Sequence, residues 1–89
     1  MRNSGTVFSK LHLANIGYSA RLDDLKSLCQ TLNLAVAIDM PLDRHTGRSR
    51  GFAFLTFASS HAARAGLAEI TGHDLGGQAI QAQIVGVDL

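Results

Sequence analysis

Apolar positions along the chain follow two different periods. Lys10-Leu11-His12-Leu13-Ala14-Asn15-Ile16 alternates, with Leu11 and Leu13 on one face and His12 and Ala14 on the other. That pattern predicts a strand. Gly17-Tyr18-Ser19 reads as a turn. From Leu22 the spacing lengthens to Leu22, Leu25, Leu28, Cys29 and Leu32, the apolar stripe of a helix. Asp23 and Asp24 fall in its first turn, where the helix dipole favours them, and Ser19 is the best-suited cap. Leu34 to Met40 alternates again, with Ala35, Ala37 and Asp39 on the outward face, and Pro41 suits a strand end. Leu42 to Ser49 is a polar hairpin loop that leads into a Phe-rich strand, Gly51–Phe57. Ser59 or Ser60 caps a second helix that runs to about Ile70, its inward face being Ala63, Gly66, Leu67 and Ile70. Gly66 costs about 1 kcal/mol relative to Ala, which is reasonable only where the helix lies very close to the sheet. Gly72 ends the helix, Asp74 to Gly77 is a turn, and Ile80 to Val85 forms the last strand. Ile80, Ala82 and Ile84 face inward there, and Gln81 and Gln83 face outward.

The predicted fold class is therefore α+β, a ferredoxin-like β-α-β-β-α-β sandwich. Two right-handed crossovers give a four-stranded antiparallel sheet with both helices packed on one face. The first and third strands lie side by side at its centre. The helices cover Leu11, Leu13, Val36, Ile38, Ala53, Leu55, Phe57 and Ile84, and no helix remains for the other face. That face carries an anomaly: Phe52 and Phe54 stand opposite Ala53, Leu55 and Phe57, next to Arg50. Either a tail or a partner protein buries them, or they form an aromatic platform with His12. Such a platform suits unstacked bases, each worth about 1–3 kcal/mol in stacking. Arg50 is placed to meet a phosphate. Gln81 and Gln83 read as either base-edge contacts or a solvated edge. Asn15 suits a base contact or its own turn equally well.

Composition narrows the choice. With 89 residues there is room for one domain, read as 10–86 between a flexible N-terminal segment, 1–9, and a C-terminal tail, 87–89. The net charge of +1 does not by itself point to a polyanion, but Arg44, Arg48 and Arg50 cluster after Asp43. The single cysteine, Cys29, excludes an internal disulfide and suits a reducing compartment. No apolar run is long enough for a membrane helix, and residues 1–10 lack a signal-peptide core. The expected setting is intracellular, the cytoplasm first and the nucleus as the alternative. His45, His61 and His73 are scattered, so no metal site and no cofactor are expected. A nucleophilic role for Cys29 lacks a base that the sequence can place beside it.

Arg50-Gly51-Phe52-Ala53-Phe54-Leu55-Thr56-Phe57 resembles the octamer of the RNA recognition motif family at every constrained position. Leu11–Ile16 resembles the family's first-strand hexamer, and Asp43–Phe52 its usual hairpin into the octamer. The resemblance covers about residues 10–85. It implies a non-enzymatic, monomeric domain that binds single-stranded RNA across the sheet, and single-stranded DNA in vitro, with no membrane contact. Carried over by position, His12 and Phe54 each stack a base and Phe52 packs against sugars or a base. Arg50 pairs with a phosphate, and Arg44 and Arg48 clamp the strand.

Three positions depart from the family. The hexamer's aromatic position holds His12, whose smaller ring stacks with less area. Asp39 puts an acid on the platform face, which repels phosphate and points to modest affinity. Cys29 stands where a large aromatic is usual in the first helix. Two rival functions are set against RNA binding. One is an RRM-like protein–protein interaction module with little RNA affinity, which Asp39 and the low net charge favour. The other is a small enzyme acting on acyl phosphates, for which Asn15-Ile16-Gly17-Tyr18 lacks the anion-cradling loop.

Overall fold

A computed structural model of the protein describes residues 6–88. Its elements are β1 (Thr6–Ala14), α1 (Leu22–Thr31), β2 (Ala37–Asp39), β3 (Ala53–Thr56), α2 (Ser60–Ile70), β4 (Asp74–Leu75), β5 (Gln78–Ala79) and β6 (Gln81–Asp88). The main sheet has the order β2-β3-β1-β6, with every neighbouring pair antiparallel. The α+β ferredoxin-like order is thus present, with β1 and β3 central. The addition is β4–β5, a small hairpin where a plain turn was expected.

The strand ends reach further than their composition predicts. β1 opens at Thr6 rather than Lys10, and β6 continues to Asp88 rather than ending near Val85. These extensions pair with each other, Thr6 with Asp88 and Val7 with Val87, beyond a bulge between Val7 and Lys10. Backbone pairing between the two ends recruits residues that the side-chain pattern leaves unassigned, so 6–9 and 87–88 are strand. Positions 1–5 and 89 of the expected flexible ends lie outside the described residues. β2 and β3 are shorter than expected, yet the ladder continues past β3 on both sides. Ile16 N–H donates to the Gly51 carbonyl at 3.1 Å, and Phe57 N–H donates to that of Ser9 at 2.7 Å.

The period-2 pattern sorts the sheet's two faces. Leu11, Leu13, Ala53, Leu55 and Phe57 are buried, in one cluster with Leu25 and Cys29 of α1 and Ala63 and Ile70 of α2. Both helices therefore sit on the same face. Burial of each such leucine contributes roughly 1.5–3 kcal/mol. Burial also pushes the Cys29 thiol pKa up, which suits a core residue rather than a nucleophile.

Caps set the helix limits. α1 starts after Arg21, whose N–H donates to the Asp24 carboxylate at 2.8 Å. Ser19, the expected cap, instead donates its hydroxyl to the Gly76 carbonyl at 3.3 Å. The helix closes in a Schellman turn, with Asn33 at φ 59° and Leu34 N–H donating to the Cys29 carbonyl at 2.8 Å. Ser59 caps α2 by accepting from Ala62 N–H at 3.0 Å.

Gly66 has the close approach that its position in α2 calls for. A Cβ there would run into the Phe57 ring. Ala at an ordinary helix site gains about 1 kcal/mol over Gly. Here overpacking dominates, at about 1–3 kcal/mol. Gly66→Ala is therefore expected to destabilise the fold, read as a lower urea midpoint with an unchanged slope; a higher midpoint would contradict the packing.

Candidate nucleic-acid interface

The uncovered face of the sheet is built by the alternate residues of the same strands. β1 and β3 pair Leu11 with Leu55 inward and, one step along, His12 with Phe54 outward. The imidazole of His12 lies 5.1 Å from the Phe54 ring, centroid to centroid, and 6.3 Å from that of Phe52. Phe52 and Phe54 are 6.2 Å apart and nearly perpendicular, at 80°. All three rings are partly exposed. They pack on one another as tilted and edge-on pairs, a favourable arrangement of aromatic rings. The structure thus brings together the three rings that the sequence placed on one face.

Strand register supplies the neighbours. Asp39 of β2 pairs with Phe54, and Gln83 of β6 pairs with His12, so these four form one row across the sheet. Gln81 pairs with Ala14 beside that row. A groove of about 360 Å³ is lined by His12, Ala14, Gln81 and Gln83 together with Thr71 and Ala82. Both exposed glutamines therefore line the same groove as His12. A cleft of about 350 Å³ on the helix side, lined by Cys29, Leu34, Val36 and Ile38 among others, is well separated from the platform.

Lys10 is a member that the sequence reading passed over. Its Nζ lies 4.9 Å from the Phe54 ring centroid, a cation–π contact worth roughly 0.5–1 kcal/mol when exposed. The signal was present in the alternation, since Lys10 shares the parity of His12.

The β2–β3 hairpin presents the arginines on a pinned loop. Asp43 is its anchor: the carboxylate accepts from His45 N–H at 2.8 Å and Thr46 N–H at 3.0 Å. The main chain closes the loop, with Asp43 N–H donating to the Arg48 carbonyl at 2.7 Å. Arg44, Arg48 and Arg50 are exposed. Ser49 is buried and ties the hairpin down, its N–H donating to the Ala20 carbonyl at 2.7 Å and its hydroxyl accepting from Gly51 N–H at 2.8 Å. Gly51 takes φ +101°, a region L side chains rarely adopt, where the chain enters the platform strand.

Asn15 is not turned onto the platform. It ends β1 at φ 61°, and its amide donates to the Ala79 carbonyl at 2.9 Å while its oxygen accepts from Gln78 at 3.0 Å. These bonds fasten the β4–β5 hairpin to the end of β1. Among the described residues there is no group of three or more His, Cys, Asp or Glu able to hold a metal. Nor is any helix among them long and apolar enough to cross a membrane.

A sequence model of the RNA recognition motif matches residues 11–81, most of the chain. The chain belongs to the RNA recognition motif family. It is 40% identical over 73 residues to glycine-rich RNA-binding protein 3, mitochondrial, of Arabidopsis thaliana, a match that covers 82% of this chain and 24% of that one. The putative RNA-binding protein RbpE of a Nostoc species is 31% identical over 71 residues, covering 80% of this chain and 72% of that one. In structure, the motif is similar to the Rna15 RRM with bound RNA (GU), with a TM-score of 0.74 at 23% identity, covering 86% and 82% of the two chains. That likeness shows the fold. The motif spans about a quarter of the first of these relatives. The family is one of binding domains, not enzymes.

In this RNA recognition motif the hairpin's anchor is a titratable group. The Thr46 and His45 N–H groups, with a smaller part from Arg50, hold the Asp43 carboxyl below its ordinary pKa. A carboxyl lowered on folding contributes stability that is complete above its unfolded value of about 3.9 and lost as pH falls through the folded one. The amide shifts of His45 and Thr46 are expected to titrate together, with a midpoint below that of an ordinary Asp. A midpoint at or above the ordinary value would contradict this anchor.

Proposed function

We propose that this RNA recognition motif binds single-stranded RNA across the open sheet face, as a monomer and without a cofactor. The observation that carries the reading is the packing of His12, Phe52 and Phe54 on a face that neither helix covers. RNA-binding proteins among the relatives support it. Bases stack on Phe54 and His12. Phe52 stands edge-on to Phe54, so a base lying flat on Phe54 meets Phe52 from the side, in the manner of a sugar contact. Arg50 takes a phosphate, Arg44 and Arg48 flank the strand from the hairpin, and Lys10 swings from the Phe54 ring to the backbone. Gln81 and Gln83 offer amides to base edges in the groove beside His12. Asn15 acts indirectly, by holding the β4–β5 hairpin. Single-stranded DNA presents the same base faces and binds the same surface in vitro.

One observation favours a second reading, a protein-interaction module of the same fold. Asp39 sits directly across from Phe54 and repels phosphate there.

Titration of homopolymeric single-stranded RNA at two salt concentrations separates the two. RNA binding is expected to weaken with salt, and Phe54→Ala to lose on the order of 1–3 kcal/mol. No detectable binding at millimolar protein would leave the protein-interaction reading.

A further inference from the structure

Tyr18 stands apart from the other apolar side chains. Among the described residues it is the one large hydrophobic side chain left exposed, at 72%. The loop that carries it is nonetheless fixed at almost every residue. Ile16 N–H donates to the Gly51 carbonyl at 3.1 Å, Gly17 N–H to Leu75 at 3.0 Å and Ala20 N–H to Gly17 at 3.0 Å. The Ser19 hydroxyl is held by Gly76. Gly17 itself lies so close to Gly76 that a Cβ would strike the Gly76 carbonyl. Tyr18 is therefore an exposed ring on a rigid mount, with little ordering left to oppose binding.

Its position is next to the platform. The edge of the Tyr18 ring lies against Gly51, where an added Cβ would come within 3.3 Å of it. Gly51 stands between Arg50 and Phe52 in the chain, at the Phe52 end of the aromatic face. On the hairpin side, a Cβ on Gly47 would lie 3.4 Å from the Arg21 guanidinium, so Arg21, three residues past Tyr18 in the chain, is a cation held against the β2–β3 hairpin. The acid in the hairpin, Asp43, is turned into its own loop by the His45 and Thr46 amides.

We infer that Tyr18 is an additional stacking station, which takes a base from a single-stranded nucleic acid that continues past Phe52, with Arg21 and Arg50 meeting the phosphates on either side. This rests on the RNA reading of the platform and extends it beyond the sheet. The occupant is argued from continuity: a strand lying on Phe52 reaches Arg50 and Tyr18 next, and a planar ring beside cations suits a base better than an aliphatic peptide.

The test uses the whole chain and an octanucleotide of single-stranded RNA. Tyr18 is the only tyrosine, so its ring proton signals in NMR are assigned without ambiguity. Stacking is expected to move them upfield on titration. Tyr18→Ala is expected to weaken binding on the order of tenfold, and Tyr18→Phe, which keeps the ring, to retain it. Both variants lie on an exposed side chain, and circular dichroism checks that they fold. If the octanucleotide binds and Phe54→Ala weakens it, but Tyr18→Ala binds like wild type and the ring signals stay put, the additional station is overturned while the platform stands. If no RNA binds at all, both fail, and the exposed ring is left to a protein partner. If Tyr18→Phe falls as far as Tyr18→Ala, the hydroxyl rather than the stacked ring makes the contact, and the proposal fails in the form stated.

Discussion

One register holds both the fold and the platform. Leu11 faces Leu55 in the core, and the next residue on each strand, His12 facing Phe54, stands on the open side. Because side chains alternate strictly along a strand, a slip of one residue would carry the rings inward and the leucines out. The core therefore specifies the platform: the same hydrophobic burial that selects Leu11–Leu55 pairing places His12 beside Phe54 at no separate cost. Phe57 and Gly66 complete the arrangement from below. The missing Cβ at Gly66 lets α2 settle on the Phe57 ring, on the same side of the sheet as α1.

The ends of the central strands use special backbone. Asn15 and Gly51 both take positive φ, and both sit where the sheet gives way to loops. Asn is among the few residues besides Gly that tolerate this region, because its short polar side chain finds local partners. Here those partners are Gln78 and Ala79, on a hairpin far along the sequence. The loops at this end are cross-tied: Gly51 to Ile16, Ser49 to Ala20, Gly17 to Leu75. They form one rim beside the Phe52 edge of the platform, so the backbone that carries Arg50, Tyr18 and the hairpin arginines is tied to the strands that carry the rings.

These ties mark the limit of what the sequence discloses. Alternation and helical spacing locate β1, α1, β3 and α2, because each residue's burial depends mainly on its own element's face. The juxtaposition of His12, Phe52 and Phe54 follows from strand order alone. Asn15 is different, since its fate depends on where residues 78 and 79 return, and no local pattern encodes that. The β4–β5 hairpin hides behind two glycines that read as a turn. The pairing of 6–9 with the end of β6 rests on backbone hydrogen bonds, to which side-chain polarity is blind. Lys10 was legible by parity and is easily overlooked, because a lysine on an outward strand position is ordinarily just solvated. Tyr18 was hidden by its neighbours: between Gly17 and Ser19 it reads as turn filler, and only the packing against Gly51 shows that the ring is held in place.

Electrostatics at this surface are local rather than global. The chain carries a net charge of +1, so no strong field gathers a polyanion from a distance. The acids near the platform are handled differently from each other. Asp43 is engaged by two backbone N–H groups and organises the loop from which Arg44 and Arg48 project, so its charge helps to place the cations it partly offsets. Asp39 has no such role in the backbone and faces Phe54 across the strands. A phosphate beside Asp39 is disfavoured, whereas the cations stand at the two ends of the ring cluster, Lys10 at the Thr56 end and Arg50 at the Phe52 end. In the proposed complex the phosphates therefore meet charge at the ends of the platform rather than across its middle row. Ring faces then supply most of the attraction, and the charges mainly choose the direction in which the strand leaves the sheet.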